Sequence, residues 1–588
     1  MAGQPESFMK GLFNNHISEN LLLKFPFFNG EGESDFGIMQ DSIKAWLDEN
    51  ARSAEFDEKK ALPPEVIQGL REMGLFGLII PEAFGGSSFT QTMYTRTLQL
   101  LNNYDTSISL TVGAHQSIGL KGLYLYGTDA QKKKYMPKLA TGEMIAAFAL
   151  TEPTAGSDAA GIKMKAERQG DHYVLNGSKL WITNGALADF FTVFAKEVID
   201  GKEKITALIV TRDMGGVTHG PEEQKLGIRA SSTVEVHFQN VRVPVENVLL
   251  NPGDGFKIAM GILNQGRLGL AGGALGSIQA VIRDCSVYAL NRKAFGKNIA
   301  SFGLIQEMLV DMTAMAYGLE SMTYFTTSLV DRGDFDYSIE AAICKVYGTE
   351  AAWQAINLAM QIHGGNGYMV DYGLERKLRD GRIGIIFEGT NEILRLFIAL
   401  TGLKEPATEF KAALKDLQSI QKFTELENLN QAISKIGVLS EFAINQVKNN
   451  VITEKLSGFH VELQKESERL AASAKLLTQA AGRIIRTYGK NLTEEQIQLA
   501  RLANMAIDTF LIAAVLSRVH GVITNYGGVE KNKKEIDLAK LIIRNAKARI
   551  NHNAYNVREN RDHVVKNTAP YIFEAAQYPF RLDRLKNA

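Results

Sequence analysis

The sequence has few cysteines, no excess of either charge and no long uninterrupted apolar run. Its 588 residues include two cysteines, Cys285 and Cys344, and neither belongs to a CxxC or Cys/His spacing, which argues against a disulfide framework or a zinc site. The 65 basic side chains cancel the 65 acidic ones, which leaves no global positive field for nucleic acid. The apolar run at 510–516 is far shorter than the ~20 residues that span a bilayer.

The N-terminal region has no recognisable targeting signal. The first thirty residues contain two lysines, no arginine and no continuous apolar stretch, which fits neither a secretory nor a transit peptide. Together with the low cysteine count, this predicts a soluble protein of a reducing compartment, either a bacterial cytoplasm or an organelle matrix, without a transmembrane segment.

Proline is nearly absent from the second half of the chain. Of the 13 prolines, ten lie at or before Pro252, and none occurs in 253–405 or 407–569. Long stretches without a helix breaker, rich in Ala, Leu, Ile, Glu and Lys, predict helical bundles. Pro406 lies between the two stretches and is a reasonable boundary between two all-helical units.

The first 250 residues contain the signals of two kinds of structure. An apolar stripe at helical spacing occupies 66–73, directly behind two prolines at 63–64, which predicts a helix. Residues 151–250 instead have short β-branched or aromatic runs separated by turn residues. An Asn-Gly pair at 176–177 divides the β-rich segment 172–183, which favours a β-hairpin.

These patterns predict a compact β domain between helical domains.

The last segment, 405–588, holds 27 basic and 20 acidic residues, a net charge of +7. A solvated helical face is the commoner explanation of such an excess, and attraction to an anionic membrane surface is the alternative. The predicted segments are an N-terminal arm (1–34), an N-terminal α domain (35–150), a middle β domain (151–252), an α-bundle domain (253–404) and an additional helical C-terminal domain (405–588).

Several familiar motifs are incomplete. Gly296-Lys297 lacks the upstream glycine and the following Ser or Thr of a Walker loop. The glycine-rich segment 271–276 follows no predicted strand, so small residues at a tight helix crossing explain it better than a dinucleotide site. The segment 115–119 lacks the first glycine of a nucleophile elbow. NAD-type and hydrolase chemistry are therefore not supported.

Five loops rich in Gly, Thr, Ser and acidic residues remain. In the loop 148–158, free backbone N–H groups and hydroxyls suit a planar, phosphate-bearing ligand. Taken singly, each loop has an ordinary alternative: an Asx or Ser turn, a half-buried hairpin, a solvated helix end, an interhelical turn or a solvated glutamate. Their order and spacing together are more specific. The other loops are 181–185, 292–297, 361–368 and 386–392.

From about residue 35 to 400 the sequence resembles the acyl-CoA dehydrogenase family, and its details resemble the very-long-chain branch. The segments that carry the resemblance read GAHQSIG at 113–119, LNQGRLG at 263–269 and FEGTN at 387–391. The helical tail after Pro406 resembles that branch more loosely. The resemblance implies a mainly α fold with an N-terminal α domain, a β-barrel-like middle domain, a four-helix bundle and an extra all-α C-terminal domain.

Members of this family remove two hydrogens from the α and β carbons of an acyl-CoA, giving trans-2-enoyl-CoA and reduced FAD. The resemblance therefore implies FAD as cofactor, a long-chain acyl-CoA as substrate and electron-transfer flavoprotein as electron acceptor. Glu388 matches the family's general base, and burial is expected to raise its pKa. Some members carry the base on a bundle helix, at the position that Gly266 occupies here. The absent side chain leads to the hypothesis that this position leaves room for a longer acyl chain.

The resemblance also assigns ligand contacts residue by residue. Asn264 stands where shorter-chain members usually have Asp, and Phe387 replaces a frequent Tyr, a change shared with the very-long-chain branch. The implied substrate contacts are Ser157, Asn264, Arg267, Phe387 and Gly389. The implied FAD contacts are Phe148, Leu150, Thr151, Gly156, Ser157, Trp181, Ile182, Thr183, Arg292, Phe295, Gln306, Gln361, His363, Gly364, Gly365, Thr390, Asn391 and Glu392.

The family's cofactor is shared across a subunit interface, which implies at least a homodimer. The helical tail could cover the second interface of tetrameric relatives, so a dimer is expected. Two alternatives stay open within the same fold: an acyl-CoA oxidase that delivers electrons to O2, and a non-catalytic assembly or scaffold protein. Peripheral membrane contact is a further option, and neither nucleic acid nor a metal is expected as a ligand.

Overall fold

The computed structural model describes residues 6–30, 32–421 and 454–580, with only the backbone for 408–421. The predicted arm and tail domain lie partly outside the described residues, at 1–5, 31, 422–453 and 581–588. The chain divides into two compact units. The first comprises Met1–Phe8, Asn20–Leu394 and Ala513–Ile542, and the second comprises Met9–Glu19, Arg395–Ile512 and Ile543–Ala588.

Helices dominate the first 145 residues. The helix Pro64–Glu72 has a proline at its first position and buries Val66, Ile67 and Leu70, as the sequence predicted. A single turn of π-helix, His115–Gly119, precedes α8. The helices of this part are α1 (Phe8–Phe13), α2 (Glu19–Leu22), α3 (Glu33–Asn50), α4 (Ser53–Lys59), α5 (Pro64–Glu72), α6 (Gln91–Tyr104), α7 (Thr106–Ala114), α8 (Lys121–Tyr126) and α9 (Asp129–Thr141).

The middle of the chain forms one curled sheet. Its strands are β1 (Ala146–Ala149), β2 (Lys165–Gln169), β3 (His172–Thr183), β4 (Phe190–Ile199), β5 (Lys202–Thr211), β6 (Val217–His219) and β7 (Thr233–Pro244). The strand order is β1-β4-β2-β3-β7-β6, and β5 pairs with β4. One face of the sheet buries Phe191 and Phe238 in its own core. On the other face, Phe190 and Phe194 join the core of the helical part.

The predicted hairpin at Asn176-Gly177 is wrong. β3 continues through both residues, and its pairing with β7 shifts between Leu175 and Gly177. The Asn176 side-chain oxygen accepts a hydrogen bond from the backbone N–H of Asn240 at 2.9 Å. Gly177 has φ +149°, and a Cβ there would come within 2.8 Å of Met164. The pair therefore forms a β-bulge, which needs a polar side chain and a glycine just as a tight turn does.

The turn between β4 and β5 contains the real two-residue hairpin connection. Asp200 and Gly201 have φ +52° and +74°, the left-handed values that such a turn requires. The residues flanking them, Ile199 and Lys202, are paired in the ladder. Here the turn chemistry and the flanking β-rich runs pointed to the same structure.

The residues that follow the sheet are again mostly helical. Helix α10 packs against α6 through glycines: a Cβ at Gly272 would lie 2.7 Å from the Thr95 carbonyl oxygen, and one at Gly276 would collide with that of Gln99. The expectation of small residues at a tight helix crossing is confirmed. Pro406 lies inside α15 instead of ending it. The helices are α10 (Gly255–Asn291), α11 (Gly303–Arg332), α12 (Ser338–His363), α13 (Gly365–Tyr368), α14 (Leu374–Arg382) and α15 (Asn391–Gln421).

The described tail is also helical. Its helices are α16 (Gln464–Tyr488), α17 (Gln496–Asn525), α18 (Gly528–Lys531), α19 (Lys533–Arg558) and α20 (Asp562–Ala575). Among the described residues, α17 alone is long and apolar enough to cross a membrane, but 83% of its most apolar window is buried, as in the core helix of a globular unit. Some of the basic excess is paired inside the second unit, where Arg549 contacts Asp508 and Arg501 contacts Asp562.

Candidate active site

The loop before α15 holds Glu388 in an unusual backbone conformation. Glu388 has φ +58° and Gly389 has φ +90°, so two successive residues are left-handed. For a residue with a side chain this costs of order 1 kcal/mol and persists where the surroundings enforce it. The loop thus turns sharply at the position that the sequence assigned as the general base.

A buried lysine supports this loop from α12. The Lys345 ammonium donates hydrogen bonds to the carbonyl oxygen of Gly389 at 2.9 Å and to Asn391 Oδ1 at 2.8 Å. Asn391 is 1% exposed, and its amide donates to Thr349 Oγ1 at 3.1 Å. Burial lowers the pKa of Lys345 to about 7. Asn391 therefore anchors the loop to α12. Lys345 was not among the predicted site residues.

The Glu388 carboxyl group is buried beside α10. Its Oε2 has no hydrogen-bond partner among the described residues. Burial raises the pKa of Glu388, and the nearby charges of Arg267 and Lys345 oppose that rise. A Cβ added to Gly266 would lie 3.5 Å from Oε2 and 3.2 Å from Ile118. The carboxylate thus lies over the glycine of α10.

Arg267 and Asn264 form one cluster on α10. Arg267 is 5% exposed, and its Nη1 donates to Asn264 Oδ1 at 2.8 Å. Burial lowers the pKa of Arg267 to about 10, while the Glu388 carboxylate acts in the opposite direction. The two predicted substrate contacts are therefore already joined by a hydrogen bond.

A cavity of about 110 Å³ opens at this carboxylate. Of the predicted site residues, Glu388, Phe387 and Thr183 line it. Its remaining wall is mostly small or apolar and comes from α6, α7, the π-helical turn after α7, α10, α12 and the segment before Glu388. Those residues are Leu98, Asn102, Thr106, Ser109, Leu110, Gly113, Ala114, Ser117, Ile118, Gly266, Gly269, Leu270, Gly273, Ala274, Ser277, Thr349, Ala352, Asp380, Gly381, Ile383 and Gly384.

The end of β3 contributes an exposed aromatic and a hydroxyl. The pairing of β3 with β7 is irregular between Lys179 and Ile182, and Trp181 has φ +57° within this bulge. Trp181 is 61% exposed, whereas Ile182 is 2% exposed and belongs to the core of the sheet. The Thr183 hydroxyl has no hydrogen-bond partner in the described chain. The strand therefore presents Trp181 and Thr183, but not the Ile182 side chain, to a ligand.

The loop 148–158 is held in place by a buried ion pair. Lys179 is fully buried on β3 and donates to Glu152 Oε1 at 2.7 Å and to the Leu150 carbonyl oxygen at 3.0 Å. The backbone of Thr151 also accepts from Leu180 N–H at 2.9 Å. Neither Lys179 nor Glu152 was among the predicted site residues, because an ion pair between residues 27 positions apart leaves no local signal in the sequence.

Other predicted residues of this loop differ in exposure. Phe148 packs on Phe194 with ring centroids 5.0 Å apart. Gly156 and Ser157 are exposed, and a Cβ at Gly156 would meet nothing within 4 Å.

The predicted FAD contacts that follow Glu388 in sequence lie at the start of α15. There, Thr390 Oγ1 accepts a hydrogen bond from the Ile393 N–H at 3.3 Å, and Glu392 is exposed.

The remaining predicted FAD contacts lie around the ends of α10 and α12, outside the cavity wall. A small hairpin, Lys293–Ala294 paired with Lys297–Asn298, places Phe295 at its tip with 94% exposure. Arg292, Gln306, Gln361, Gly364 and Gly365 are also exposed.

His363 differs from the glycines that follow it, because its ring is 7% exposed and stacks on Tyr288 at a centroid distance of 4.0 Å. The Tyr288 hydroxyl donates to the His363 carbonyl oxygen at 3.3 Å and so joins the ends of α10 and α12. The His363 side chain therefore serves this junction.

The residues present fit FAD. An exposed indole next to an unpaired threonine hydroxyl suits the edge and face of a planar ring system. Open space around Gly156, Gly364 and Gly365 lets backbone N–H groups approach phosphate oxygens. The buried, unpaired Glu388 Oε2 faces the same cavity as Thr183.

Fold and site together define a flavin-dependent dehydrogenase of acyl thioesters: this chain belongs to the acyl-CoA dehydrogenase family. The family models of the N-terminal, middle and C-terminal domains match residues 35–143, 147–241 and 253–403. A fourth model, the ACAD9/ACADV C-terminal domain, matches residues 461–578. The predicted class, fold and cofactor, FAD, are thus confirmed.

Individual proteins of known name or structure are also similar to this chain. The human very long-chain specific acyl-CoA dehydrogenase, a mitochondrial protein, is 42% identical over 529 residues, covering 88% of this chain and 79% of the relative. The crystal structure of an acyl-CoA dehydrogenase complexed with FAD from Bacillus anthracis has a TM-score of 0.79 at 31% identity and covers 97% of this chain and 96% of that one. A chain in the structure of the electron transferring flavoprotein of Acidaminococcus fermentans has a TM-score of 0.61 at 34% identity, covering 64% of this chain and 100% of that chain.

Proposed function

We propose that the protein catalyses the FAD-dependent α,β-dehydrogenation of long-chain acyl-CoA to trans-2-enoyl-CoA in fatty-acid β-oxidation, with Glu388 as the general base. The observation that carries the proposal is the buried Oε2 of Glu388, which has no hydrogen-bond partner among the described residues and belongs to a carboxyl group that lines a mostly apolar cavity. A carboxylate in that setting has its lone pairs available for a proton from a bound substrate.

The environment of Glu388 suits proton abstraction. The α-proton of a thioester is weakly acidic, so a base with a raised pKa is better matched to it than an ordinary carboxylate. Burial raises the pKa of Glu388, and the charges of Arg267 and Lys345 oppose that rise. FAD, when bound, supplies the acceptor for the hydride that leaves the β carbon.

The same groups stabilise the charge that develops on the substrate. Removing the α-proton places negative charge on the thioester oxygen, where oriented donors contribute most. The backbone N–H of Glu388 is the donor that the family resemblance assigns to this oxygen. Its direction is fixed by the left-handed turn at 388–389 and by the Lys345 hydrogen bonds beneath it. We assign Arg267 to the substrate side, through its cluster with Asn264.

The decisive test is an anaerobic titration of purified protein with saturated acyl-CoAs from butyryl to stearoyl, followed by flavin absorbance. Bleaching that is strongest with long chains and abolished in Glu388→Gln supports the reaction, the base and the substrate class. Glu65→Gln, which changes an exposed carboxylate on α5, is the matched control and should behave as wild type. A yellow protein that no straight-chain acyl-CoA bleaches would refute the substrate assignment, and a colourless protein that cannot take up FAD would favour the scaffold alternative.

The electron acceptor is proposed to be electron-transfer flavoprotein, as the family resemblance implies. Reoxidation of substrate-reduced protein by that flavoprotein, with little hydrogen peroxide formed in air, is the expected outcome. Rapid peroxide formation with each turnover would support the oxidase alternative. We expect the reaction to take place in an organelle matrix, since the human relative is mitochondrial, or in a bacterial cytoplasm.

The functional unit is proposed to be a homodimer. Phe295, Tyr368 and Val370 are 94%, 79% and 70% exposed beside the glycine-rich loop after α12, where the resemblance places the cofactor of a second subunit. Size-exclusion chromatography with light scattering should give twice the chain mass, and a tetramer would contradict the proposal. Binding to anionic vesicles remains a separate option, which a flotation assay tests.

A further inference from the structure

The cavity that begins at Glu388 follows one face of α10. Its lining residues on that helix include Gly266, Gly273 and Ser277. From residue 266 to residue 277 an α-helix rises about 16 Å. An extended hydrocarbon chain advances about 1.3 Å per carbon, given a single-bond length near 1.5 Å. A substrate whose α carbon lies at Glu388 therefore reaches Ser277 with a chain of about fourteen carbons.

The far end of this cavity is polar. Asn102 is 9% exposed, and its amide donates to the Gly273 carbonyl oxygen and to Ser277 Oγ, both at 2.6 Å. Both donor hydrogens of the amide are thereby used, whereas Asn102 Oδ1 has no partner in the described part of the chain. The Thr106 hydroxyl, which lines the same end, is likewise unpartnered among the described residues. The wall thus offers a ligand at this end one acceptor, Asn102 Oδ1, and two hydroxyl donors, those of Thr106 and Ser277.

This end of the cavity is unsuited to an anion. Among the described residues that line the cavity, none is Lys, Arg or His. Asp380 lines it and accepts a hydrogen bond from the Ile228 backbone N–H at 2.5 Å. Burial raises the pKa of Asp380 to about 7; the charges of Asp105 and Asp57 act in the same direction, and the Ile228 hydrogen bond and the charge of Arg376 oppose the rise. A carboxylate at the end of a bound chain would meet no positive side chain in the cavity wall and would lie near an acidic group.

We propose that Asn102, Thr106 and Ser277 form a recognition site for an uncharged hydroxyl group at the far end of an acyl chain of about fourteen carbons. A terminal methyl group leaves Asn102 Oδ1 without a hydrogen-bond partner from the described chain, whereas a terminal hydroxyl donates to it and accepts from Thr106 or Ser277. The inference rests on the proposed function, because it takes the cavity at Glu388 to be the acyl site. It makes Asn102 the residue that determines specificity at the end of the chain.

The test compares two CoA thioesters, tetradecanoyl and 14-hydroxytetradecanoyl, and measures both binding and turnover. Binding is measured by calorimetry with the FAD-loaded Glu388→Gln protein, which cannot turn the ligands over. We expect the hydroxylated thioester to bind about tenfold more tightly, the value of one well-formed hydrogen bond. Asn102→Leu, which keeps the branched arrangement of side-chain heavy atoms, should remove or reverse this preference.

Asn103→Leu is the matched control. Asn103 lies on the same helix and donates to the α10 carbonyl oxygen of Gly276 at 3.1 Å, but it does not line the cavity. The preference should survive this change. Equal binding of the two thioesters by the Glu388→Gln protein, or a preference that Asn102→Leu leaves intact, would overturn the inference while dehydrogenation could still occur. A preserved binding preference in a protein whose wild type oxidises neither thioester would instead refute the proposed reaction alone.

Discussion

Replacing Lys345 with methionine tests whether the buried ammonium holds the base loop in place. The substitution removes hydrogen bonds to the Gly389 carbonyl oxygen and to Asn391 Oδ1. Breaking a buried charged network costs about 3–5 kcal/mol, and relief of the ammonium's own burial returns part of it, so the net loss should be about 2 kcal/mol. For a chain of 588 residues this corresponds to a Tm lower by roughly 2 °C, because the entropy of unfolding scales with chain length.

The catalytic effect should exceed the effect on stability. A base displaced by about 1 Å loses about 100-fold in kcat. The substitution also removes a positive charge that lowers the pKa of Glu388. With that charge gone the pKa of Glu388 rises further, so the acid limb of the kcat/KM profile should move to higher pH. A purely structural role for Lys345 would not move this limb.

Lys121→Met provides the matched control. Lys121 is 4% exposed on α8, burial lowers the pKa of its ammonium to about 7, and that ammonium has no hydrogen-bond partner in the described chain. Methionine should be tolerated there without loss of Tm or activity. The reasoning is refuted if Lys345→Met has the wild-type Tm, kcat and acid limb, or if the two variants lose stability equally.

Three further outcomes follow from the site. Gly266→Leu should reduce the turnover of long-chain acyl-CoA at least tenfold more than the turnover of butyryl-CoA, because a side chain there meets Ile118 and the Glu388 carboxylate. Unchanged turnover of long chains would count against the hypothesis that Gly266 leaves room for them. Lys179→Met should cost about 3–5 kcal/mol and weaken FAD retention, because it leaves Glu152 buried without its partner, and dialysis followed by flavin quantification measures the effect. In wild type, kcat/KM should fall as pH drops through the raised pKa of Glu388, at a higher pH than the ordinary value of 4.5, because only the ionised carboxylate accepts a proton.

Much of the architecture could be predicted because its causes are local. Pro64, the apolar spacing of α5 and the Asp200-Gly201 turn each act within a few residues. The Asn176-Gly177 bulge could not be distinguished from a hairpin, since both conformations favour the same residue pair and only the pairing partner, β7, decides between them. Pro406 does not end α15, because a helix can continue through a single proline where packing compensates the lost hydrogen bond.

Within the site, the residues that lie in a recognisable motif could be predicted, whereas the residues that hold those motifs in place could not. Glu388 lies in a motif that resembles a family pattern, whereas Lys345 and Lys179 lie within apolar helix or strand sequence that gives no sign of a role. Their positions matter only through contacts more than twenty residues away in sequence, with Gly389 and with Glu152. The polar end of the cavity depends in the same way on the crossing of α6 and α10, which brings Asn102 to Ser277.

Because its backbone is left-handed, residue 388 is a position where selection for stability and selection for activity favour different amino acids. Glycine there would relieve a strain of about 1 kcal/mol, so a Glu388→Gly chain should be more stable than its parent and unable to react. Directed evolution for thermal tolerance without an activity screen should therefore accumulate dead enzymes at this position. A lineage that no longer needed the reaction would gain stability by losing its base.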